Sequence, residues 1–532
     1  MAEEERLPGG HILFLLAALL LGFWSNIGSA PLFDLDEGAF SQATIEMVDS
    51  GNYLSTTLNG EPRYDKPILI YWLQAASIQT FGRNEFAFRA PSALCASLWV
   101  LVVYGFTWSF TRERRAALLA AGSLALSLMP MVIGHAAIAD ALLDLLIALS
   151  MLDIYRHCVE PRRDLLLRVY LWMGLGFLTK GPVAVALPLV VSLLFYLWQK
   201  RPLAWLKAVF YPLGWLVFAA VVLPWAYALY RQDQGAFFRH FLLEHNLGRY
   251  ENTLQGHGGH LWYYLVWLPA IVMPFTALLP AVFWRARRPD PLDLYLLLWF
   301  AVVFVFFSFS GTQLPHYLLY GCTPLFILFG RAWRDAPARG WALLPPLLLV
   351  LVLGALPWVL PRIHVPDQRV YESGILTLAA SSFSWVYYTL AALALASVLV
   401  LLLRRGVETW RALLGSGLAL GALVWYAVVP IVAAAQQEPV RDAALRAKEL
   451  DLPVVSYHTF LPSFSVYRGA VTPNRLPEPG ELVFVRLDRL PDLQNELGSQ
   501  VTLVPEFKKG GVALLLRPPA PAAGGAGAAA RP

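Results

Sequence analysis

The sequence contains few charged residues and few cysteines for its length. Asp, Glu, Lys and Arg make up 14% of the 532 residues, whereas a soluble domain carries about 25%. This shortage excludes an ordinary soluble enzyme, because 58% of the chain is hydrophobic and most of it must lie in lipid. The three cysteines, Cys95, Cys158 and Cys322, lie in or beside apolar segments. They provide neither a disulfide framework nor a cysteine metal cluster.

A strongly basic face is also missing. The formal net charge is +5, but the lysines and arginines fall in short loops between apolar segments. We therefore expect no nucleic-acid partner. Short basic loops of this kind are typical of the cytoplasmic side of a membrane protein.

Long apolar runs dominate the rest of the sequence. A membrane-spanning helix needs about 20 mostly apolar residues, and this length predicts an all-α polytopic membrane protein with about thirteen transmembrane helices. The predicted spans are 11–30, 88–110, 116–134, 138–155, 165–179, 182–198, 208–228, 262–284, 292–310, 315–331, 341–360, 385–403 and 412–434.

Basic clusters follow every even-numbered predicted span, for example at 112–115, 156–168 and 404–411. The intervening short loops near Gly134 and Gly311 carry none. Because basic loops remain on the cytoplasmic side, we expect a cytoplasmic N-terminus. An odd number of spans then places the C-terminal region in the periplasm.

The composition changes after the last predicted span. Residues 439–450 read as a helix, and 453–457, 481–485 and 512–516 read as strands. We therefore divide the chain into a transmembrane domain (1–434), a small extracytoplasmic α/β domain (435–517) and a tail expected to be disordered (518–532).

The first outside loop, residues 31–87, holds an unusual density of charge. Asp34, Asp36 and Glu37 lie within four positions, and Asp65-Lys66 follows. Two helices too short to cross the bilayer, over 37–50 and 67–81, are predicted to lie at the membrane surface. Asp36 is expected to cap the first helix, and a lysine at the interface can simply snorkel. Together these charges favour an enzyme that acts on a lipid-linked phosphate.

Further charges lie near the predicted outer ends of spans. Lys180, in a turn between two spans, either snorkels or contacts a phosphate. Asp140 and Asp144 lie one helical turn apart, and carboxylates inside a span are costly and usually functional or paired. Asp140 is nearer the surface and is the better candidate for facing a cavity.

The loop 229–261 contains Glu244, His245 and Arg249. A histidine and a carboxylate at this spacing can bind a divalent metal, although no standard zinc signature is present and histidines in a polar loop are often only solvated. Arg249 could hold a phosphate through its guanidinium fork.

Several motifs in a fixed order, spread over about residues 10–335, resemble those of one family. They are Asp36-Glu37, Tyr64-Asp65-Lys66-Pro67, Leu178-Thr179-Lys180-Gly181, Glu244-His245 with Arg249-Tyr250, and Gln313-Leu314-Pro315-His316-Tyr317. In this order they resemble the bacterial aminoarabinose transferases and their protein O-mannosyltransferase relatives. These are polytopic membrane glycosyltransferases with the GT-C fold.

The resemblance implies transfer of a sugar, with inversion, from a polyprenyl (undecaprenyl) phosphate to an envelope acceptor such as lipid A or another glycolipid. It implies that Asp36 is the catalytic carboxylate, and we add Glu37 and Asp140 as further catalytic candidates. The lipid phosphate would be held by Lys66, Arg249 and Tyr317, and we add Lys180 as a further phosphate contact. A divalent metal ion, zinc or similar, would be held by Asp65 and by Glu244 or His245.

Other functions remain open at this point. A protein hydroxyl could be the acceptor instead of a lipid. A transporter of lipid-linked sugars would carry inverted repeats and charges near the midplane of the membrane, and neither is evident. A non-catalytic envelope scaffold would bind partners through the C-terminal domain without turning over any sugar. The predicted location is the bacterial inner membrane.

Overall fold

The computed structural model describes residues 9–241, 260–366, 368–498 and 501–519. Helices dominate it. Those before the first break are α1 (Gly9–Leu19), α2 (Asp36–Ser50), α3 (Leu69–Phe81), α4 (Glu85–Thr111), α5 (Arg114–Leu126), α6 (Leu128–His135), α7 (Asp140–Val159), α8 (Arg163–Lys180), α9 (Val183–Trp198), α10 (Pro202–Val209), α11 (Pro212–Asp233) and α12 (Ala236–Arg239). Those after it are α13 (Tyr263–Ile271), α14 (Leu279–Arg285), α15 (Pro291–Ser308), α16 (Thr323–Arg331), α17 (Arg339–Val359), α18 (Val370–Ser381), α19 (Trp385–Leu403), α20 (Thr409–Leu423), α21 (Val429–Gln436), α22 (Glu438–Leu450), α23 (Ser463–Arg468) and α24 (Leu490–Leu497).

Six of the described helical segments are long and apolar enough to cross a membrane: Glu85–Thr111, Pro212–Asp233, Pro291–Ser308, Arg339–Arg362, Trp385–Leu403 and Thr409–Gln436. Two bent pairs, α5 with α6 and α13 with Phe275–Arg285, raise the number to eight. Helices α7 and α8 occupy two further predicted spans, but each carries several charged residues. A polytopic helical membrane protein is confirmed, and the count of thirteen stays a prediction.

The first outside loop contains the two predicted short helices, α2 and α3. Gly51 ends α2 in the left-handed conformation, with φ of 67°. The expected capping role of Asp36 is wrong, because Leu35 occupies the cap position and no side chain caps the helix. Most of the first three turns of α2 are buried under neighbouring elements.

A small hairpin between these helices was not predicted. Strands β1 (Thr56–Leu58) and β2 (Glu61–Arg63) pair antiparallel. The Glu46 carboxylate holds the turn, because it accepts hydrogen bonds from the Thr57 hydroxyl at 2.5 Å and the Asn59 N–H at 2.7 Å. Strands of three residues are too short to show an alternating pattern in the sequence.

The C-terminal region, residues 438–516, contains a four-stranded sheet in the order β3-β4-β6-β5. Its strands are β3 (Val454–Ser456), β4 (Leu482–Arg486), β5 (Val504–Lys509) and β6 (Val512–Leu516). Strands β3 and β4 are parallel and the other pairs are antiparallel. The three predicted strands and the predicted helix are present, whereas β5 was not predicted. The predicted domain boundaries remain untested.

The C-terminal region packs directly on the first outside loop. The Asp34 carboxylate accepts a hydrogen bond from the Ser463 N–H at 2.9 Å and another from the Ser463 hydroxyl. The Ser465 hydroxyl donates to Asn59 Oδ1 at 2.7 Å. A Cβ atom at Gly38 would lie 2.5 Å from the Ser463 nitrogen, so only glycine allows this close approach.

Candidate active site

A cavity of about 990 Å³ lies between the first outside loop and the C-terminal region. Ligand pockets usually measure about 300–1,000 Å³, so this cavity is at the upper end of that range. One wall carries the side chains of Asp36, Lys66, Asp140, Lys180, His316 and Tyr317, and the C-terminal region supplies another part of the lining. Six of the predicted site residues therefore share one cavity: Asp36, Asp65, Lys66, Asp140, Lys180 and Tyr317.

Asp36 presents its carboxylate to this cavity. It is the first residue of α2, and it is exposed although the helix after it is buried. Within the described ranges its side chain makes no hydrogen bond or ion pair. An exposed carboxylate at the end of a rigid helix is available to a ligand that enters the cavity.

Glu37, the next residue, has a different environment. It is buried and does not line the cavity. Arg89 donates to both of its oxygens, at 2.8 Å and 2.7 Å, and the N–H groups of Phe33 and Ala137 each donate at 2.7 Å. These four hydrogen bonds occupy the Glu37 carboxylate and tie the loop to α4. Because the carboxylate does not contact the cavity, the geometry corrects the predicted catalytic role of Glu37.

Asp140 and Lys180 form an ion pair in the same wall as Asp36. The Lys180 Nζ lies 2.7 Å from Asp140 Oδ1 and donates to the Tyr320 hydroxyl at 2.7 Å. The Tyr320 hydroxyl in turn donates to the same Asp140 oxygen at 2.5 Å. The ammonium group lies 5.1 Å from the centre of the Tyr317 ring. Asp140 is therefore held as the counter-ion of Lys180, and both residues line the cavity.

Asp144 lies one turn further along α7, away from the cavity. It is buried, and neither carboxylate oxygen has a hydrogen-bond partner among the described residues. The choice of Asp140 over Asp144 as the residue that faces a cavity agrees with this placement.

Asp65 and Lys66 also lie in the cavity wall. The Arg63 guanidinium donates to both Asp65 oxygens, at 2.6 Å and 2.9 Å. The Lys66 Nζ donates to the Asp65 carbonyl at 3.0 Å and lies 3.9 Å from the Asp65 carboxylate. Two cations therefore surround this carboxylate.

Of the predicted metal ligands, Asp65 alone lies within the described residues, and Arg63 donates to both of its oxygens. The Asp65 carboxylate would have to leave Arg63 before both of its oxygens could bind a cation. In the ranges that the structure describes, no three His, Cys, Asp or Glu side chains lie together as metal ligands. The other candidate ligands, Glu244 and His245, lie outside the described residues, as does Arg249. The metal remains a prediction, which metal analysis of the purified protein and an Asp65→Asn variant would test.

Burial changes the protonation of Asp34, which lies at the junction with the C-terminal region. It raises the pKa of this carboxyl to about 7, although the two hydrogen bonds from Ser463 favour the charged form and oppose the shift. Asp34 also lines the cavity, two residues before Asp36. The junction between the two walls therefore contains a group that titrates near neutral pH.

Several residues of the site were missed from the sequence. Tyr320 lies three residues after Tyr317 in the 3₁₀ turn Pro315–Gly321. Because side chains three residues apart eclipse in such a turn, the pair of tyrosines was the available signal. Phe460, Asn474 and Arg475 of the C-terminal region line the cavity as well. No local pattern marks them, since only the tertiary fold brings them to the first loop.

Comparison with known proteins identifies relatives of this chain. The family model described as dolichyl-phosphate-mannose-protein mannosyltransferase matches residues 65–227. The undecaprenyl phosphate-alpha-4-amino-4-deoxy-L-arabinose arabinosyl transferase of Erwinia tasmaniensis is 30% identical over 420 residues, which cover 74% of this chain and 72% of that protein. The enzyme of the same name from Pseudomonas savastanoi is 33% identical over 328 residues, 60% of each chain.

A solved structure shows the same fold. The crystal structure of ArnT from Cupriavidus metallidurans bound to undecaprenyl phosphate superposes with a TM-score of 0.81 at 20% identity, covering 96% of this chain and 98% of that one. The fold and the cavity thus define a polytopic membrane glycosyltransferase of the GT-C class. Within that class, the chain belongs to the family of the undecaprenyl phosphate-alpha-4-amino-4-deoxy-L-arabinose arabinosyl transferases.

Proposed function

We propose that this protein transfers a sugar from undecaprenyl phosphate to a hydroxyl group of an envelope acceptor such as lipid A. The observation that carries the proposal is the cavity, where an available carboxylate (Asp36) and two lysines (Lys66 and Lys180) share one wall. The names of the relatives support the donor lipid and an aminoarabinose-type sugar.

The proposed topology has thirteen spans, with a cytoplasmic N-terminus and the cavity at the periplasmic face of the bacterial inner membrane. The basic clusters after even-numbered spans support this orientation. A cavity on the periplasmic side would receive a lipid-linked donor and an envelope acceptor from the same compartment.

Lys66 and Lys180 stabilise the leaving group in the proposed reaction. When the bond between the sugar and the lipid phosphate breaks, negative charge develops on the phosphate. Cations already fixed in the wall stabilise that charge without reorganisation. Asp140 and Tyr320 hold the Lys180 ammonium in place. We propose that Tyr317 also contacts the lipid phosphate.

Asp36 activates the acceptor. Its carboxylate accepts the proton of the acceptor hydroxyl while the hydroxyl oxygen attacks the anomeric carbon. The lipid phosphate leaves from the opposite face of the sugar, so a single displacement inverts the anomeric centre. Asp140 is a positioning residue in this scheme, because its carboxylate is occupied by Lys180 and Tyr320.

A second candidate function is the glycosylation of a protein hydroxyl. The match to the mannosyltransferase model over residues 65–227 favours it, and the same chemistry would serve. A transporter of lipid-linked sugars is less well supported, because the charged residues described above gather on one cavity wall.

Mass spectrometry of the envelope separates these functions. A strain that lacks the protein should lose one sugar modification from its glycolipids, and the purified protein should restore it with an undecaprenyl-phosphate sugar. Loss of a modification from proteins alone would identify the second function. Unchanged glycolipids and glycoproteins, with no transfer by the purified protein, would contradict both.

A further inference from the structure

We propose that a small apolar pocket among α7, α8, α9, α10 and α11 binds an acyl chain of an anionic phospholipid, whose phosphate contacts Lys200 and Lys207. The pocket has a volume of about 50 Å³. Among the described residues, none lines both this pocket and the active-site cavity. The lipid that we assign to it takes no part in the proposed sugar transfer.

The pocket lies toward the other end of the membrane domain from the cavity. Helix α7 begins at Asp140 in the cavity wall, whereas Ile154 and His157 near its other end line the pocket. At about 1.5 Å per residue, Ile154 lies about 21 Å from Asp140 along the helix. A polyprenyl donor whose phosphate is bound in the cavity therefore cannot place the same phosphate here. In the proposed topology this end of the helices faces the cytoplasm.

The aromatic side chains of the pocket use their polar atoms within the protein. The Tyr170 hydroxyl donates to the Val209 carbonyl at 2.6 Å, and Trp215 Nε1 donates to the same carbonyl at 2.8 Å. Trp205 Nε1 donates to Ser192 Oγ at 3.0 Å. A polar ligand would lose its hydration beside these rings without gaining a new partner from them. The pocket therefore selects a hydrocarbon group.

The lining is elongated along α9. It extends from Val185 through Pro188, Leu189 and Ser192 to Tyr196, which is about 16 Å of helix. These positions share one face of α9, because they are spaced by three or four residues. A narrow apolar lining of this length suits an extended acyl chain that lies along the helix.

Tryptophans mark the depth at which the pocket meets the membrane surface. Trp205 and Trp215 line it, and Trp198 is exposed at the end of α9. Tryptophan is enriched at the membrane–water interface. Helix α10 exposes Leu203 and Leu206, and a short helix with an apolar face lies along that interface. A lipid head group therefore lies beside α10 when its chain enters the pocket.

The charge around α10 favours an anionic head group. Residues 153–168 and 199–211 contain seven Lys and Arg side chains but only three Asp and Glu side chains. Lys200 precedes α10 and Lys207 lies in its last turn. Both are exposed, and within the described ranges neither forms a hydrogen bond or an ion pair. Basic side chains at this depth attract anionic lipids, so the two lysines are available to a phospholipid phosphate.

Photo-crosslinking of the full-length protein in phosphatidylcholine nanodiscs tests the pocket. A phosphatidylglycerol that carries a diazirine in one acyl chain should label lining residues such as Met173 and Val185, which peptide mass spectrometry locates. Ala208→Phe places a large side chain in the lining and should abolish this labelling. Val190→Phe is the matched control, because Val190 is exposed on α9 outside the pocket, and it should label like the wild type.

A second pair of variants tests the charge. Lys200→Gln/Lys207→Gln should weaken the binding of phosphatidylglycerol about fivefold per lysine, measured by competition with the unlabelled lipid. Arg404→Gln/Arg405→Gln removes two exposed basic residues of another loop and should keep wild-type binding. An equal loss in both double variants would mean that only the overall surface charge matters, which overturns the site.

Three further results would overturn the proposal. One is equal labelling of the lining by phosphatidylglycerol and phosphatidylcholine probes. Another is labelling that persists in folded Ala208→Phe or, if that variant does not fold, unchanged binding by the double lysine variant. The third is stronger displacement of the probe by undecaprenyl phosphate than by phosphatidylglycerol, which would identify the polyprenyl tail as the occupant. Because sugar transfer is not measured in these experiments, their failure leaves the proposed function intact.

Discussion

Asp36 and Glu37 are neighbours in the sequence, yet they occupy opposite environments. Asp36 faces a cavity and has no polar partner among the described residues, whereas Glu37 is buried and accepts four hydrogen bonds. One acidic motif therefore supplies a residue for the proposed reaction, Asp36, and a residue that fixes its position, Glu37. Glu37 fixes the start of α2, and that fixed helix presents Asp36 to the cavity.

Glu37→Ala should have the largest effect on folding. Removal of one partner from a buried ion pair leaves the Arg89 guanidinium uncompensated and costs about 3–5 kcal/mol. We expect a large fall in the thermal midpoint in detergent. Asp49→Ala is the control, because Asp49 lies in the same helix and pairs with Arg83 in an exposed bridge worth about 0–1 kcal/mol. Equal losses in the two variants would contradict the structural role of Glu37.

Among the residues of the Asp140–Lys180–Tyr320 cluster, Lys180 should have the largest effect on the transfer rate when it is replaced by Met. Loss of one preorganised charge that stabilises a leaving group typically lowers kcat by about 10²–10³-fold. Asp140→Asn should also lower kcat. The double variant should lose less activity than the two single effects predict together, because the residues act as a unit. Additive effects in a kinetic double-mutant cycle would mean that Asp140 does not act through Lys180.

Gly38→Ala should weaken the junction between the two walls. The new Cβ would collide with the Ser463 nitrogen and the Asp34 carboxylate, and an overpacked contact of this kind costs about 1–3 kcal/mol. Gly105→Ala, at a helical glycine whose new Cβ would meet nothing within 4 Å, serves as the control. Protease sensitivity of the C-terminal region should rise only in Gly38→Ala. An unchanged digestion pattern would show that the junction can relax.

Asp34 should make stability depend on pH. Its pKa of about 7 in the folded protein lies above the usual 3.8, so the folded state binds more protons than the unfolded state between these values. The contribution is present at low pH and is lost as the pH rises toward about 7. The thermal midpoint of the wild type should fall across that window more steeply than that of Asp34→Asn. Parallel curves for the two proteins would contradict the raised pKa.

The local features of the chain were predictable and the distant contacts were not. Helices α2 and α3 follow from short apolar patterns, and Asp36, Lys66 and Lys180 follow from charges beside apolar spans. The division of labour between Asp36 and Glu37 depends on Arg89 and Ala137, which lie 52 and 100 residues away from Glu37. The part of the cavity lining from the C-terminal region depends on the hydrogen bond between Ser463 and Asp34, which lie 429 residues apart in the sequence. No window of sequence contains such information.

The most direct measurement is the transfer rate of purified Asp36→Asn beside Asp49→Asn. Removal of a general base typically lowers a rate by about 10²–10⁴-fold, so Asp36→Asn should lose transfer by that factor while its thermal midpoint and its affinity for undecaprenyl phosphate match those of the wild type. Asp49→Asn, an exposed carboxylate of the same helix, should keep full activity. Near wild-type transfer by folded Asp36→Asn would contradict the assignment of Asp36 as the residue that activates the acceptor.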